Sequence, residues 1–387
     1  MQSLGLSAAN YKIYLATLAS SYEFKVTVQI LTNEHQVVST ISNRLLDGQV
    51  DAEGVLMQDG RVDVSRTCSL ELLDVGRTLG FDSDSPADGA LYLDRMVRVI
   101  YSVRCPFGWV DVHVFTGPVI KVDRDDDVVS VEAHGKEEFG LGQAWNSYTY
   151  KGTKFEALRG LLRRMGEADK YMDLPSTKEK LVKPVAIGRE TQLWPTAFGL
   201  ASSMNRILFY DGMGVVRTPL KSDARSRLTF RGGNGGLLCS EPQISYSTDD
   251  MRNCALVRGG KPKGSKKAVS ATVVAPASHA LNPFKIGRRG WGRYYAEVEE
   301  NTDIRTQAKA TARANALLKA ALAQQTEATW QCLPVPHLDP WDIVTVATGR
   351  STVTVRTRRF SLPLMADELM TVGYTKPLTK PRAVRRA

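Results

Sequence analysis

The chain holds 387 residues, more than one ordinary core accommodates, so two to four folded units are expected. Hydrophobic residues make up 43% and charged residues 24%, a globular composition with no apolar run long enough for a membrane-spanning helix. The net charge of +10 admits a nucleic-acid partner, yet much of the excess sits in "RGGKPKGSKK" (258–267) and "TKPLTKPRAVRRA" (375–387), whose Pro, Gly and charge read as solvated linkers or tails.

The first 21 residues form an N-terminal segment too polar, and too poor in early basic residues, for a secretory signal. From Phe24 to about Gly140 the dominant period is two. In "RVDVSRTCSLELLD" the apolar side carries Val62, Val64, Cys68, Leu70 and Leu72, with Arg66 as its one break. Further strands are expected at Phe24–Ile30, Val97–Tyr101 and Val110–Val114. Residues 22–146 therefore read as an antiparallel β barrel or sandwich.

Residues 147–225 change character to a small α+β unit. "TKFEALRGLLRRMG" is predicted helical, with Thr153 and Glu156 as a capping box and Gly166 as the stop. A second helix should begin at Trp194-Pro195, and "RILFYDGMGVVRTP" should turn at Asp211-Gly212. Strands return over 226–376, interrupted by a helix at 303–324 whose apolar stripe is Ala310, Ala314, Leu317, Leu318, Ala321 and Leu322. Residues 377–387 form a basic tail.

An internal repeat runs through this layout. Residues 118–135 lie over 359–376 without a gap, at an offset of 241. Val128, Val129, Ser130 and Val131 fall on Leu369, Met370, Thr371 and Val372, and Asp126-Asp127 fall on Asp367-Glu368. Upstream, "LDRMVRV" (93–99) resembles "PWDIVTV" (340–346), with Asp94 on Trp341, Val97 on Val344 and Val99 on Val346. The aspartates of "VDRDDDVV" then read as a hairpin tip. A calcium loop wants six to eight spaced oxygens and usually a glycine, and the second copy keeps only two of the acids.

Catalytic and metal signatures are missing. The five histidines give no HExxH, no G-x-S-x-G occurs, and "GGKPKGSK" (259–266) has the wrong order for a phosphate loop. His134 with Glu132, Glu137 and Glu138 is expected to be a strand end with the glutamates in water. The five scattered cysteines read as buried free thiols. No cofactor and no metal is expected. Basic and aromatic residues interleave in "KIGRRGWGRYY" (285–295). The candidate contact surface is therefore Lys261, Lys263, Lys266 and Lys267 with Arg288, Arg289, Trp291 and Arg293.

In order of segments the chain resembles the baseplate-hub, or tail-tip hub, proteins of long-tailed bacteriophages, also called tail-associated proteins. "GQVDAEGVLMQDGRVDVSRTCSLELLD", "YLDRMVRVIYSV" and "FTGPVIKVDRDDDVVSVEAHGKE" resemble strands of the family's first barrel. "TQAKATARANALLKAALAQ" and "PHLDPWDIVTV" resemble the helix and strand of its second. The resemblance implies a mainly β chain with two tail-tube-like barrels and an α+β insertion. It implies a homotrimer forming a pseudo-sixfold ring that adapts a sixfold tube to a threefold tip. The implied partners are the distal tail protein, the tape measure protein, receptor-binding tip proteins, and phage DNA passing through the lumen. The implied location is the virion, after assembly in the host cytoplasm. The chain stops soon after the second barrel, so a wall-degrading activity is not expected. A nucleic-acid-binding β protein using 285–295 is the alternative reading, and a cell-wall-active tail enzyme the third.

Overall fold

The computed structural model describes residues 1–387 except 57–61, 78, 80–89, 93–94, 143, 145, 175, 182, 221–227, 246–251, 278, 280, 285–292, 303, 324–325, 350 and 377–387. The tail and Asp94 thus lie outside the described residues. The fold is mainly β with four α-helices among the described residues, and it divides into two compact units. The first comprises Met1–Val55, Val62–Glu241 and Trp330–Val372; the second comprises Leu56–Arg61, Pro242–Thr329 and Gly373–Ala387.

The first unit opens with helix α1 (Ala8–Leu18), capped by Ser7, whose hydroxyl accepts from Asn10 N–H at 3.2 Å. Seven strands follow: β1 (Phe24–Leu31), β2 (Val37–Ile41), β3 (Leu45–Leu56), β4 (Val62–Leu73), β5 (Met96–Cys105), β6 (Gly108–Asp125) and β7 (Val128–His134). They line up as β3-β4-β7-β6-β5-β1-β2. β6 is long enough to serve two neighbours: its residues 108–118 pair with β5 and 119–125 with β7, all antiparallel. A register shift between Val119 and Lys121 marks the passage. Gly117 sits at that passage because a Cβ there would lie 1.9 Å from the His134 carbonyl oxygen. The Gly117-Pro118 pair is thus a bend inside one strand.

Arg66 is the inward side chain of β4 that broke the apolar pattern. It is 5% exposed, pairs with Asp339, donates to the Val114 carbonyl at 3.3 Å, and lies over the Phe360 ring at 5.5 Å. Asp339 and Phe360 belong to the second copy of the repeat, so this arginine ties the two copies together. After β7, a short turn of 3-10 helix at Lys136–Gly140 leaves Glu137 half-buried rather than fully in water. Its carboxylate accepts from Arg66 N–H at 3.4 Å, and burial pushes its pKa up to about 7.

The middle of the chain builds β8 (Tyr148–Tyr150), α2 (Lys154–Arg164), β9 (Met172–Asp173), β10 (Val185–Ile187), α3 (Leu193–Ser203), β11 (Phe209–Tyr210) and β12 (Val216–Arg217). The Thr153/Glu156 capping box forms as expected, and α3 begins one residue before Trp194. Leu158, Leu161 and Leu162 of α2 pack with Trp194, Phe198 and Tyr210 into one core. Lys136 and Glu167 pair at 2.5 Å with side chains only 3% exposed. This pair joins the β module to the helical one.

Next come β13 (Leu228–Arg231), β14 (Gln243–Ser245), β15 (Cys254–Gly259), β16 (Ser270–Val274), β17 (Ala296–Asn301), α4 (Gln307–Ala323), β18 (Thr326–Cys332), β19 (Ile343–Ala347), β20 (Thr352–Arg356), β21 (Arg359–Pro363) and β22 (Met370–Lys376). In the second unit, β15 lies between β16 and β17, and α4 covers one face through Ala310, Ala314, Leu317 and Leu318. In the first unit, β18, β22 and β21 continue the row onto β3, with Arg359 opposite Glu53 and Leu362 opposite Val50.

The order β18-β22-β21 reproduces β4-β7-β6, and β19-β20 reproduces the hairpin of β5 with the first half of β6. Within the second unit β14 pairs antiparallel with the start of β18, just as β3 neighbours β4. Asp126 and Asp367, aligned by the repeat, both take left-handed backbone, with φ of 51° and 65°. The copies differ where β13 runs parallel to β19, whereas β1 runs antiparallel to β5. Four cysteines are buried, but Cys239 is exposed.

Candidate functional site

Among the described residues no group of three His, Cys, Asp or Glu side chains could hold a metal, and the aspartates at 123–127 form the end and tip of the β6–β7 hairpin. The surface with the most chemical character is one face of the row β21-β3-β4-β7-β6. Strand geometry sends alternate side chains to opposite faces. Val50, Ala52, Cys68, Leu70, Leu72, Val129 and Val131 go to the core.

The other face carries Asp47, Gln49, Asp51 and Glu53 from β3, and Ser65, Thr67, Ser69 and Glu71 from β4. β7 adds Ser130 and Glu132, β6 adds Lys121, Asp123 and Asp125, and β21 adds Arg359 and Ser361. The registers set Glu132 between Lys121 and Ser69, Ser130 between Asp123 and Glu71, and Ser361 opposite Asp51. Two hollows of about 450 and 490 Å³ lie on this face.

Local bonds hold some of the carboxylates in place. Gln49 donates to both oxygens of Asp51 at 2.9 Å, Ser361 donates to Asp51, and Lys121 pairs with Asp123. Among the described residues Lys121 and Arg359 are the lysine and arginine on a face with eight carboxylates (Asp47, Asp51, Glu53, Asp63, Glu71, Asp123, Asp125 and Glu132). Such a face stays hydrated and repels polyanions.

This face was missed in the sequence reading. The signal was present in the outward sets of these strands, which are mostly acidic and hydroxylic in a chain whose net charge is +10. The candidate contact residues lie elsewhere, in the second unit. Lys261, Lys263, Lys266 and Lys267 are all exposed on the hairpin loop between β15 and β16. Arg293 is exposed just before β17. Arg288, Arg289 and Trp291 lie outside the described residues.

The 43 kDa tail protein of prophage MuSo2 from Shewanella oneidensis superposes over 92% of this chain and 99% of its own, with a TM-score of 0.58 at 10% identity. The tail protein from Neisseria meningitidis MC58 superposes over 92% and 97%, with a TM-score of 0.60 at 11% identity. The chain has the fold of phage tail proteins. No family model matches it, and no curated protein matches its sequence. At such low identity the likeness is one of fold and carries no site residue across.

Proposed function

We propose that the chain is a structural hub of a phage tail tip, three copies of which close a ring around a channel. On this reading two tube-like β-barrel domains, residues 22–146 and 226–376, flank the α+β domain at 147–225. Three copies then present six similar surfaces to a sixfold tube and three to the tip below. The ring would join the tube's distal end to receptor-binding proteins, receive the end of the tape measure protein and pass DNA. The acidic face of β21-β3-β4-β7-β6 is its wet inner wall, and repulsion keeps DNA phosphates from sticking there.

The observation that carries the reading is the repeated strand order and the way its copies join. β21 of the second copy pairs with β3 of the first. The repeat places residues 359–363 on 118–122 of β6, and β14 stands where β3 stands. Among the described residues no strand pairs with the outer edge of Ile120–Asp125, nor with the outer edge of β14. Unpaired edges invite strand addition, and a closed ring removes them. Residues 120–125 of one molecule therefore meet β14 of the next, in the way β21 meets β3.

Light scattering on the purified chain should give the mass of three copies, and negative-stain top views should show a ring of six lobes. Lys121→Cys combined in turn with Gln243→Cys, Ile244→Cys and Ser245→Cys should give disulfide-linked trimers for at least one pair under oxidation. A chain that stays single in solution, and in the particle, and cross-links at none of the three positions would overturn the reading.

A further inference from the structure

One exposed turn of the first unit places an amide beside a free backbone nitrogen. Of the ten asparagines in the chain, Asn234 alone precedes a glycine. Asn234 and Gly235 are the central residues of a β-turn, in which Gly236 N–H donates to the Gly233 carbonyl at 3.0 Å. Gly235 has a φ of 71° and Asn234 is not left-handed, the pattern of a type II turn. The one internal bond of that turn uses neither the Gly235 N–H nor the Asn234 side chain. No other group among the described residues bonds to them. Residues 231–235 are all exposed, and a Cβ built on Gly232, Gly233 or Gly235 would meet nothing within 4 Å. The turn stands on a closed neck, since Leu238 N–H donates to the Arg231 carbonyl at 3.0 Å.

We propose that Asn234 is a site of spontaneous covalent modification, in which the Gly235 backbone nitrogen attacks the Asn234 Cγ. The nitrogen gives up its proton as the new C–N bond closes a cyclic imide. The Cγ–Nδ2 bond breaks, and ammonia leaves with that proton. Water then opens the ring at either carbonyl, giving aspartate when it adds at Cγ and isoaspartate when it adds at the main-chain carbon. The balance is amide plus water to carboxyl group plus ammonia, with nothing oxidised or reduced. Glycine matters twice. Gly235 has no Cβ to block the approach, and the glycines on both sides let the backbone reach the closing geometry.

The fold closes this route at comparable places. Asp211-Gly212 has the same spacing, but Asp211 is 1% exposed. Its Oδ1 accepts from Met213 and Val215 N–H at 2.9 and 3.0 Å, and its Oδ2 accepts from Arg217 Nε at 2.7 Å. A Cβ on Gly212 would lie 2.1 Å from the His113 carbonyl oxygen, so the peptide there has no room to turn. Asn253 is equally buried, and its Nδ2 donates to the Leu281 and Arg293 carbonyls at 3.0 and 2.7 Å. At Asn234 each conversion replaces a neutral amide with a carboxylate, and isoaspartate adds one methylene to the backbone. Because the turn packs on nothing beyond its neck, the fold keeps its stability while the chain loses one unit of positive net charge. The proposal does not depend on the ring.

The test incubates the full chain in mildly alkaline buffer and follows the tryptic peptide 232–252, whose one asparagine is Asn234, by mass spectrometry. Expected is steady replacement of the amide by a carboxylate, with isoaspartate exceeding aspartate and one heavy oxygen taken up from labelled water. Electron-transfer fragmentation tells the two products apart. Folded chain and excised peptide should convert at similar rates, and the other asparagines should lag. Acidifying the buffer should slow the change, since the attacking nitrogen must lose its proton. Asn234→Gln should abolish it in this peptide, because the longer side chain closes a less favoured ring, and should leave the thermal midpoint unchanged. An Asn234 that stays intact in the folded chain would overturn the proposal. So would conversion to aspartate alone, the mark of direct hydrolysis without a ring, or earlier reaction at another asparagine.

Discussion

Arg66 shows how much one side chain can hold. Its guanidinium lies inside the sheet, paired with Asp339, which also has the Met1 ammonium 3.5 Å away. Removing one member of a buried pair leaves the other charge without its counterpart, at a typical cost of about 3 kcal/mol or more. Arg66→Met should lower the urea midpoint with an unchanged m-value, and Arg66→Met with Asp339→Leu should recover part of the loss. His35 carries a different liability. It has a left-handed φ of 64°, stacks on Tyr171 at 3.9 Å, and faces Lys136 at 3.0 Å and Arg98 at 3.2 Å. Burial first, then Lys136 and Arg98, push its pKa down to about 3. The unfolded chain binds this proton near pH 6.5 while the folded chain does not, so stability falls as pH drops from about 6.5 toward 3. His35→Asn keeps a residue tolerant of that backbone and removes the titration. Its stability, followed by urea midpoint against pH, should fall less steeply over this window than that of the parent chain. Neither Arg66's partner nor the surroundings of the His35 ring could be read from the sequence, because the side chains they meet are remote along the chain.

Elements with local causes were legible, and those with tertiary causes were not. α2 declared itself through Thr153, Glu156 and its leucine spacing, and Thr153→Ala should cost about 1 kcal/mol in thermal or urea unfolding. β4 and α4 followed from their periods. α1 did not, since its sequence shows no apolar stripe. It is fixed by Tyr14 and Leu18, both fully buried, and by the rings of Tyr11 and Tyr14 against His337 at 5.7 and 5.3 Å. Gly117-Pro118 joins two residues that usually end strands. Proline needs no N–H donor at a sheet bend, and glycine makes room for the His134 carbonyl, so β6 passes through. Gly117→Ala should therefore destabilise by about 1–3 kcal/mol, measured by urea unfolding, with the His134 carbonyl displaced.

For the whole molecule, the repeat was legible as an offset of hydrophobic and acidic positions, and the strand order gives it a physical form. The two compact units were not legible, because the second gathers residues on both sides of strands that mostly serve the first. Its own core is small, built on Ala255, Val257 and Ala271 under α4. Calorimetry should show two transitions rather than one. Leu317→Ala, at a site 1% exposed, should lower the transition of the second unit by about 2–5 kcal/mol and leave the other in place.

One difference between the copies has a mechanical side. The first copy crosses from hairpin to sheet along an unbroken β6, while the second makes the same crossing in two pieces, β20 and β21, parted at Thr357 and Arg358. A pull along β6 runs through one continuous backbone. In the second copy it must turn a corner at Thr357, held by its N–H to Asp342 and by Trp341 N–H to its carbonyl, each at 2.8 Å. In the three-chain collar proposed above, stiff sectors would alternate with jointed ones, so anything forced through the bore would spread it at three corners rather than six.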